Sequence, residues 1–133
     1  MMKEVFRAEG FRLMGAAFAV YNELGYGMAE EIYQESLELE LHLQGIPFTA
    51  KPEIRCQYKG HQLNKRYIPD LVVSGRLLVE PKAVTALAGE HEAQLLNYLR
   101  ITRSPVCYLL NFGHEGTLEW KPLILSQFNP ASA

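Results

Sequence analysis

The sequence is poor in cysteine: Cys56 and Cys107 are its only two, they lie far apart, and neither has a CxxC neighbour. That gives no sign of a disulfide framework or a thiolate zinc site, and a reducing, cytoplasmic setting is expected. Long apolar runs are missing as well. The longest charge-free stretch near the start, Leu13 to Asn22, falls short of the roughly 20 residues that a membrane span needs. Met1-Met2-Lys3-Glu4 leads straight into mixed charge, so neither a membrane segment nor a secretory signal is expected. There is no internal repeat, no low-complexity segment and no recognisable base-reading module. An excess of either charge is absent too: 13 Lys and Arg stand against 15 Asp and Glu, a net charge of −2, which carries no global signature of a polyanion partner.

What is present is ordinary globular material. Hydrophobic residues make up 48% and charged residues 21% of 133 positions, enough for one hydrophobic core. One domain over residues 1–125 with a flexible tail over 126–133 is expected. The balanced charge hides an asymmetry, because residues 1–45 carry three basic and eight acidic side chains and residues 46–133 carry ten and seven. Lys51, Arg55, Lys59, Lys65, Arg66, Arg76 and Lys82 dominate the stretch 46–85, which suits either a phosphate-facing surface or a merely solvated strand surface.

Apolar residues recur at helical spacing from Val5 to Leu24 and end at Gly25-Tyr26-Gly27; a second periodic run goes from Ala29 to Leu43 and ends at Gly45 and Pro47. The period then shortens to two. Glu53–Tyr58, Tyr67–Val73 and Leu77–Val84 read as three antiparallel strands with turns at Lys59-Gly60 and Ser74-Gly75. Ala88 to Thr102 is helical again, Val106 to Asn111 is an apolar run suited to a strand inside the sheet, and Leu118 to Leu125 is a weaker strand or a short helix. The order ααβββαβ, with a helical crossover to the last strand, predicts an α/β fold: a central mixed sheet flanked by helices.

The chemistry-bearing stretch is the hairpin that carries Pro69-Asp70 and then Glu80-Pro81-Lys82. Alternation along a strand puts Glu80 and Lys82 on one face. A strict two-residue turn at Ser74-Gly75 would send Asp70 to the opposite face. A three-residue turn of Val73-Ser74-Gly75, with Gly75 left-handed, pairs Asp70 with Leu78 and leaves Asp70 and Glu80 as same-face diagonal neighbours. Two carboxylates and a lysine on an apolar sheet need compensation, and a hard cation such as Mg²⁺ supplies it. Such a set suits phosphodiester hydrolysis, with Lys82 beside a water or a phosphate; an ordinary wet hairpin is the plain alternative. Glu30, at the start of the second helix, leans toward Tyr33 and Leu37, either as a further site acid or as a partner of the helix dipole. His91, Gln94 and Tyr98 lie one turn apart on the apolar face of the third helix, either as substrate contacts or as satisfied core groups.

Gly27-Met28-Ala29-Glu30-Glu31-Ile32-Tyr33 resembles the Gly-x-x-Glu-x-x-Tyr signature of the small GxxExxY proteins, a group of the PD-(D/E)XK nuclease superfamily. The resemblance extends through Pro69-Asp70, Glu80-Pro81-Lys82, His91–Leu99 and Asn111-Phe112-Gly113, nearly the whole chain. It implies a restriction-endonuclease-like core and a metal-dependent nuclease acting on nucleic acid, DNA in the first place. By the same resemblance Glu30, Asp70 and Glu80 would surround Mg²⁺ or Mn²⁺, and Lys82 would assist catalysis. Tyr33, His91, Gln94 and Tyr98 would position the substrate or the site. A homodimer or a protein partner is expected to help so small a domain grip a duplex. A catalytically silent nucleic-acid- or protein-binding module on the same fold is the alternative. Pro81 departs from the usual Glu-x-Lys pattern, so its strand is either bulged or turns the missing N–H toward no partner.

Overall fold

A computed structural model of the protein describes residues 6–125; the expected tail over 126–133 lies outside the described residues. The first helix, α1 (Arg7–Leu24), buries Leu13, Met14, Ala17, Val20 and Tyr21 along one stripe. It stops where Gly25, at φ 69°, turns its N–H back to the Tyr21 carbonyl at 2.7 Å. Helix α2 (Glu30–Leu43) buries Tyr33, Leu37 and Leu41, one turn apart, and a third helix, α3, spans Gly89–Thr102. All three follow the apolar periodicity of the sequence to within two residues at each end.

The strands number more than expected. They are β1 (Phe48–Ala50), β2 (Ile54–Tyr58), β3 (His61–Tyr67), β4 (Leu71–Val73), β5 (Leu77–Lys82), β6 (Val106–Asn111) and β7 (Glu119–Ile124), which makes the order ααβββββαββ. Five form a mixed sheet in the order β1-β4-β5-β6-β7, with β5 and β6 parallel and the other pairs antiparallel. The α/β architecture, the crossover through α3 and the place of β6 inside the sheet agree with the sequence reading.

Two details of that reading are corrected, and a third is decided between its alternatives. The run Glu53–Tyr58 does not join the main sheet; as β2 it pairs with β3 in a separate two-stranded ribbon. Tyr67–Val73 is not one strand, because Ile68-Pro69-Asp70 interrupts it, and a proline has no N–H to donate to a ladder. Leu118–Leu125 is a strand, β7, at the edge of the sheet, where Pro122 is tolerated.

Strand β5 is buried along almost its whole length, as befits a strand covered on both faces. Leu71, Val73, Leu77, Val79, Val106 and Leu110 pack with α1 and α2 on one side. Leu78, Cys107, Leu109 and Leu123 pack with Leu95 and Leu99 of α3 on the other. By alternation Glu80 and Lys82 share the α3 face with Leu78. Among the described residues no helix is long and apolar enough to cross a membrane.

Just past β6, Gly113 lies against the backbone of Ala83 and Val84, which leave β5. A Cβ at this position would overlap main-chain atoms that no rotamer change can move. Gly113→Ala is therefore expected to destabilise the protein by about 1–3 kcal/mol or more, read from urea denaturation midpoints.

Candidate active site

The hairpin between β4 and β5 determines which side chains meet. Ser74 and Gly75 both take left-handed φ, 55° and 69°, and the Arg76 N–H closes the turn on the Val73 carbonyl at 3.1 Å. Val73 nevertheless pairs with Leu77, so Arg76 is an extra residue in the loop. The ladder then runs Val72 to Leu78 and Leu71 to Val79, and its next step sets Asp70 opposite Glu80. The expected pairing of Asp70 with Leu78 is thus off by two residues, because the three-residue loop is Ser74-Gly75-Arg76 and not Val73-Ser74-Gly75. A shift of two preserves the face, so the two acids still share one side.

Glu80 is only 8% exposed. Its Oε1 accepts the Tyr67 hydroxyl at 2.7 Å and the Asp70 N–H at 3.2 Å. Burial first and the neighbouring Asp70 second push the Glu80 carboxyl up to about 7, against the opposing bond from Tyr67. Burial and the Glu80 charge in turn raise the Tyr67 hydroxyl and the Cys107 thiol, and the Tyr67 ring stacks on Tyr98 with centroids 4.1 Å apart. Asp70 is anchored by its backbone: its carbonyl accepts the Lys51 N–H and the Gln34 side-chain amide, each at 3.0 Å.

Pro81 sits in regular strand. The Lys82 carbonyl accepts the Phe112 N–H at 2.8 Å, so the even-numbered residues turn their backbone groups to β6. Pro81 then turns to the other side, where β4 has ended and the next position is Pro69. Of the two expected alternatives, the second holds: the missing N–H meets no ladder partner.

Glu30, at the mouth of α2, is half-buried; burial raises its carboxyl, Lys82 opposes this and Asp70 adds to it, so the three groups sense one another. Tyr33 is fully buried. Its hydroxyl donates to the Gly25 carbonyl at 2.7 Å and accepts the Met28 N–H at 3.1 Å, and its ring stacks on Phe112. It fixes the loop that presents Glu30 and touches no open space. A pocket of about 530 Å³ lies over the α3 face, lined among others by Tyr67, Glu80, Lys82, His91, Gln94 and Tyr98. The His91 Nδ1 also accepts the Ala88 N–H at 3.0 Å, which caps α3.

Two contributors were given no site role by the sequence. Tyr67 is an aromatic among polar strand residues until the fold aims its hydroxyl at Glu80. Asn111, fully buried, accepts the N–H groups of Val84 and Gly113 and donates to Glu119 at 2.9 Å, and so pins the segment that follows Lys82.

Among the described residues no three His, Cys, Asp or Glu side chains gather closely enough to hold a metal ion. Asp70 and Glu80 come together, and Glu30 senses the charges of Lys82 and Asp70. Two adjacent carboxyls, one buried with a raised pKa, form an all-oxygen donor pair short of positive charge. That chemistry fits Mg²⁺ or Mn²⁺, which take one or two carboxylates and keep several waters, and does not fit zinc.

A family model of the PD-(D/E)XK nuclease superfamily matches residues 7–123. Among solved structures, the protein titled SSO0001 superposes with a TM-score of 0.54 at 16% identity, over 71% of this chain and 50% of that one. This chain therefore accounts for half the length of that protein, and the likeness speaks for the fold alone. An alkaline exonuclease (LHK-Exo) from Laribacter hongkongensis gives a TM-score of 0.44 at 14% identity, over 81% of this chain and 75% of that one. No curated protein matches by sequence.

Two measurements probe this geometry. The folded-state value of about 7 for Glu80 lies above its ordinary 4.5, so its ionisation opposes folding as pH rises through that window and costs nothing below it. Glu80→Gln in metal-free protein is expected to add about 1–3 kcal/mol at pH 8 and little at pH 4.5, read from urea denaturation at both pH values. Tyr33→Phe leaves the Gly25 carbonyl and Met28 N–H without their partner, and a loss of about 1–3 kcal/mol is expected in the same assay.

Proposed function

Because the chain belongs to the PD-(D/E)XK nuclease superfamily, we propose that it is a metal-dependent phosphodiesterase that hydrolyses nucleic acid, DNA in the first place. The observation that carries this reading is the pairing of Asp70 with the buried Glu80, with Lys82 on the same face and an open pocket above them. The Gly27–Tyr33 pattern of the GxxExxY proteins, which ends on the tyrosine that holds the Glu30 loop, supports it further.

Asp70 and Glu80 would hold Mg²⁺ or Mn²⁺, with Glu30, which senses Asp70, as an additional acid. When bound, such an ion stabilises charge on phosphoryl oxygens and activates water. The chain's own groups do the rest. The Tyr67 hydroxyl and the Asp70 N–H keep Glu80 oriented in a site that its burial makes dry. Lys82, a point charge one strand step from Pro81, faces the pocket where a substrate phosphate enters and offsets the charge that develops on it. Gln94, exposed on α3 at the pocket wall, offers an amide to phosphate or sugar. Tyr98 braces Tyr67 by stacking and so acts through it.

A second reading, a silent nucleic-acid-binding module, is favoured by the lack, among the described residues, of three acidic, His or Cys side chains close enough to hold a metal ion. One experiment separates the two. Purified protein with Mg²⁺ or Mn²⁺ is offered single- and double-stranded DNA and RNA, beside Asp70→Ala and Lys82→Ala. Each substitution is expected to lower the cleavage rate by about 10²-fold or more. Cleavage that persists unchanged in both variants rejects the mechanism. An absence of both cleavage and calorimetric Mn²⁺ binding in the wild type favours the module.

A further inference from the structure

The ribbon β2–β3 stands apart from the main sheet. Its inner face, through Ile54 and Tyr67, packs with the α3-side core, and Cys56 is 4% exposed. Residues 54–67 carry Arg55, Lys59, Lys65 and Arg66 and no acid, in a chain whose net charge is negative. Arg55 and Arg66 stand directly opposite each other across the ribbon, an arrangement that destabilises a strand pair unless an anion lies between. Arg66 reaches Glu53 at 2.9 Å, but among the described residues Arg55, Lys59 and Lys65 have no acidic partner. The register slips between Arg55 and Gln57, so that three residues of β3, Leu63 to Lys65, oppose Cys56 alone. A bulge re-aims side chains, and here Lys65 and Arg66, neighbours in sequence, both line the pocket that holds Glu80 and Lys82. At the tip, Tyr58 is 60% exposed with the Lys59 ammonium over its ring.

We infer that the β2–β3 ribbon is a cationic arm that holds one nucleic-acid strand against α3, with Lys65 and Arg66 on successive phosphates and Tyr58 as a stacking platform for a base. The inference rests on the nuclease reading for what happens to that strand and deepens it by naming the form of the substrate. The size of the cleft selects a single strand. At about 530 Å³ it has the capacity of a pocket that encloses one drug-sized molecule, walled by the ribbon on one side and α3 on the other. Glu80 lies buried at its floor. A strand that reaches Glu80 has to leave its complement outside. Paired cations along a groove beside an exposed aromatic are the pattern that grips single strands with little sequence preference.

The test is fluorescence anisotropy of the full-length protein in EDTA with a labelled 20-nucleotide single strand and with the blunt duplex of the same sequence. Wild type is expected to bind the single strand at least tenfold more tightly than the duplex. Lys65→Gln/Arg66→Gln is expected to lose at least tenfold in affinity at low salt, with the slope of log K against log salt reduced by about 1.4, two phosphate contacts' worth. Thermal melts check that the variant folds, and Arg12→Gln on α1 removes a charge elsewhere and is expected to change nothing. Duplex binding as tight as single-strand binding overturns the inference, and so does a double variant that binds like Arg12→Gln. Cleavage assays with Mn²⁺ on the same proteins keep the two readings apart. Arm-dependent strand binding without cleavage sinks the nuclease reading and keeps the arm. Cleavage that is indifferent to Lys65→Gln/Arg66→Gln sinks the arm and keeps the nuclease.

Discussion

A carboxyl group enclosed in the sheet of a small protein is the constraint on which the rest of this structure depends. Glu80 sits where an apolar residue would pack without cost, and the protein surrounds it with a hydroxyl, a backbone N–H and a second acid. Two hydrogen bonds satisfy part of its lone-pair capacity but add no positive charge. Burial and Asp70 together raise its carboxyl to about 7, so its ionised form is costly without a compensating positive charge. The surrounding architecture makes sense as the support of that one group: Tyr98 against Tyr67, Gln34 and Lys51 on the Asp70 carbonyl, and Asn111 behind Lys82.

The second determinant is a count of residues in a turn. Side chains alternate along a strand, so one residue more or fewer between β4 and β5 would place Asp70 and Glu80 on opposite faces. Arg76 supplies the additional residue, and left-handed Ser74 and Gly75 give the turn its closure. The two prolines complement this arrangement. Pro69 helps end β4 before it can cover the Glu80 end of β5, and Pro81 then needs no ladder partner on that side. The gap in the sheet is what leaves Asp70 and Lys82 at an opening and not in a sealed core.

Particular elements explain how far the fold was readable. The three helices were legible because each shows one apolar stripe, with stops readable at Gly25, Gly45 and Ser104-Pro105. Strand β6 was legible as an apolar run too short for a helix. Strand β3 escaped, since His61 to Tyr67 is exposed at most positions and so has no apolar alternation to betray it. Strand β1 escaped because three residues are too few to show a period. In the site, Asp70, Glu80 and Lys82 were legible as residue types at suggestive spacing. Tyr67 was not, because a hydroxyl has no direction until a backbone gives it one.

By itself, then, the sequence determined the elements whose signal is local: amphipathic helices, a buried strand, glycine and proline boundaries, and the acids and lysine available for chemistry. The pairing of strands distant in the chain was decided only in three dimensions. There Phe48–Ala50 became the neighbour of β4, the basic ribbon separated from the sheet, and the Tyr67 hydroxyl met Glu80. The reason is that local periodicity reports which face of a segment avoids water, whereas the choice of partner and register is made by contacts among residues far apart in sequence, each too weak to leave a mark on its own segment.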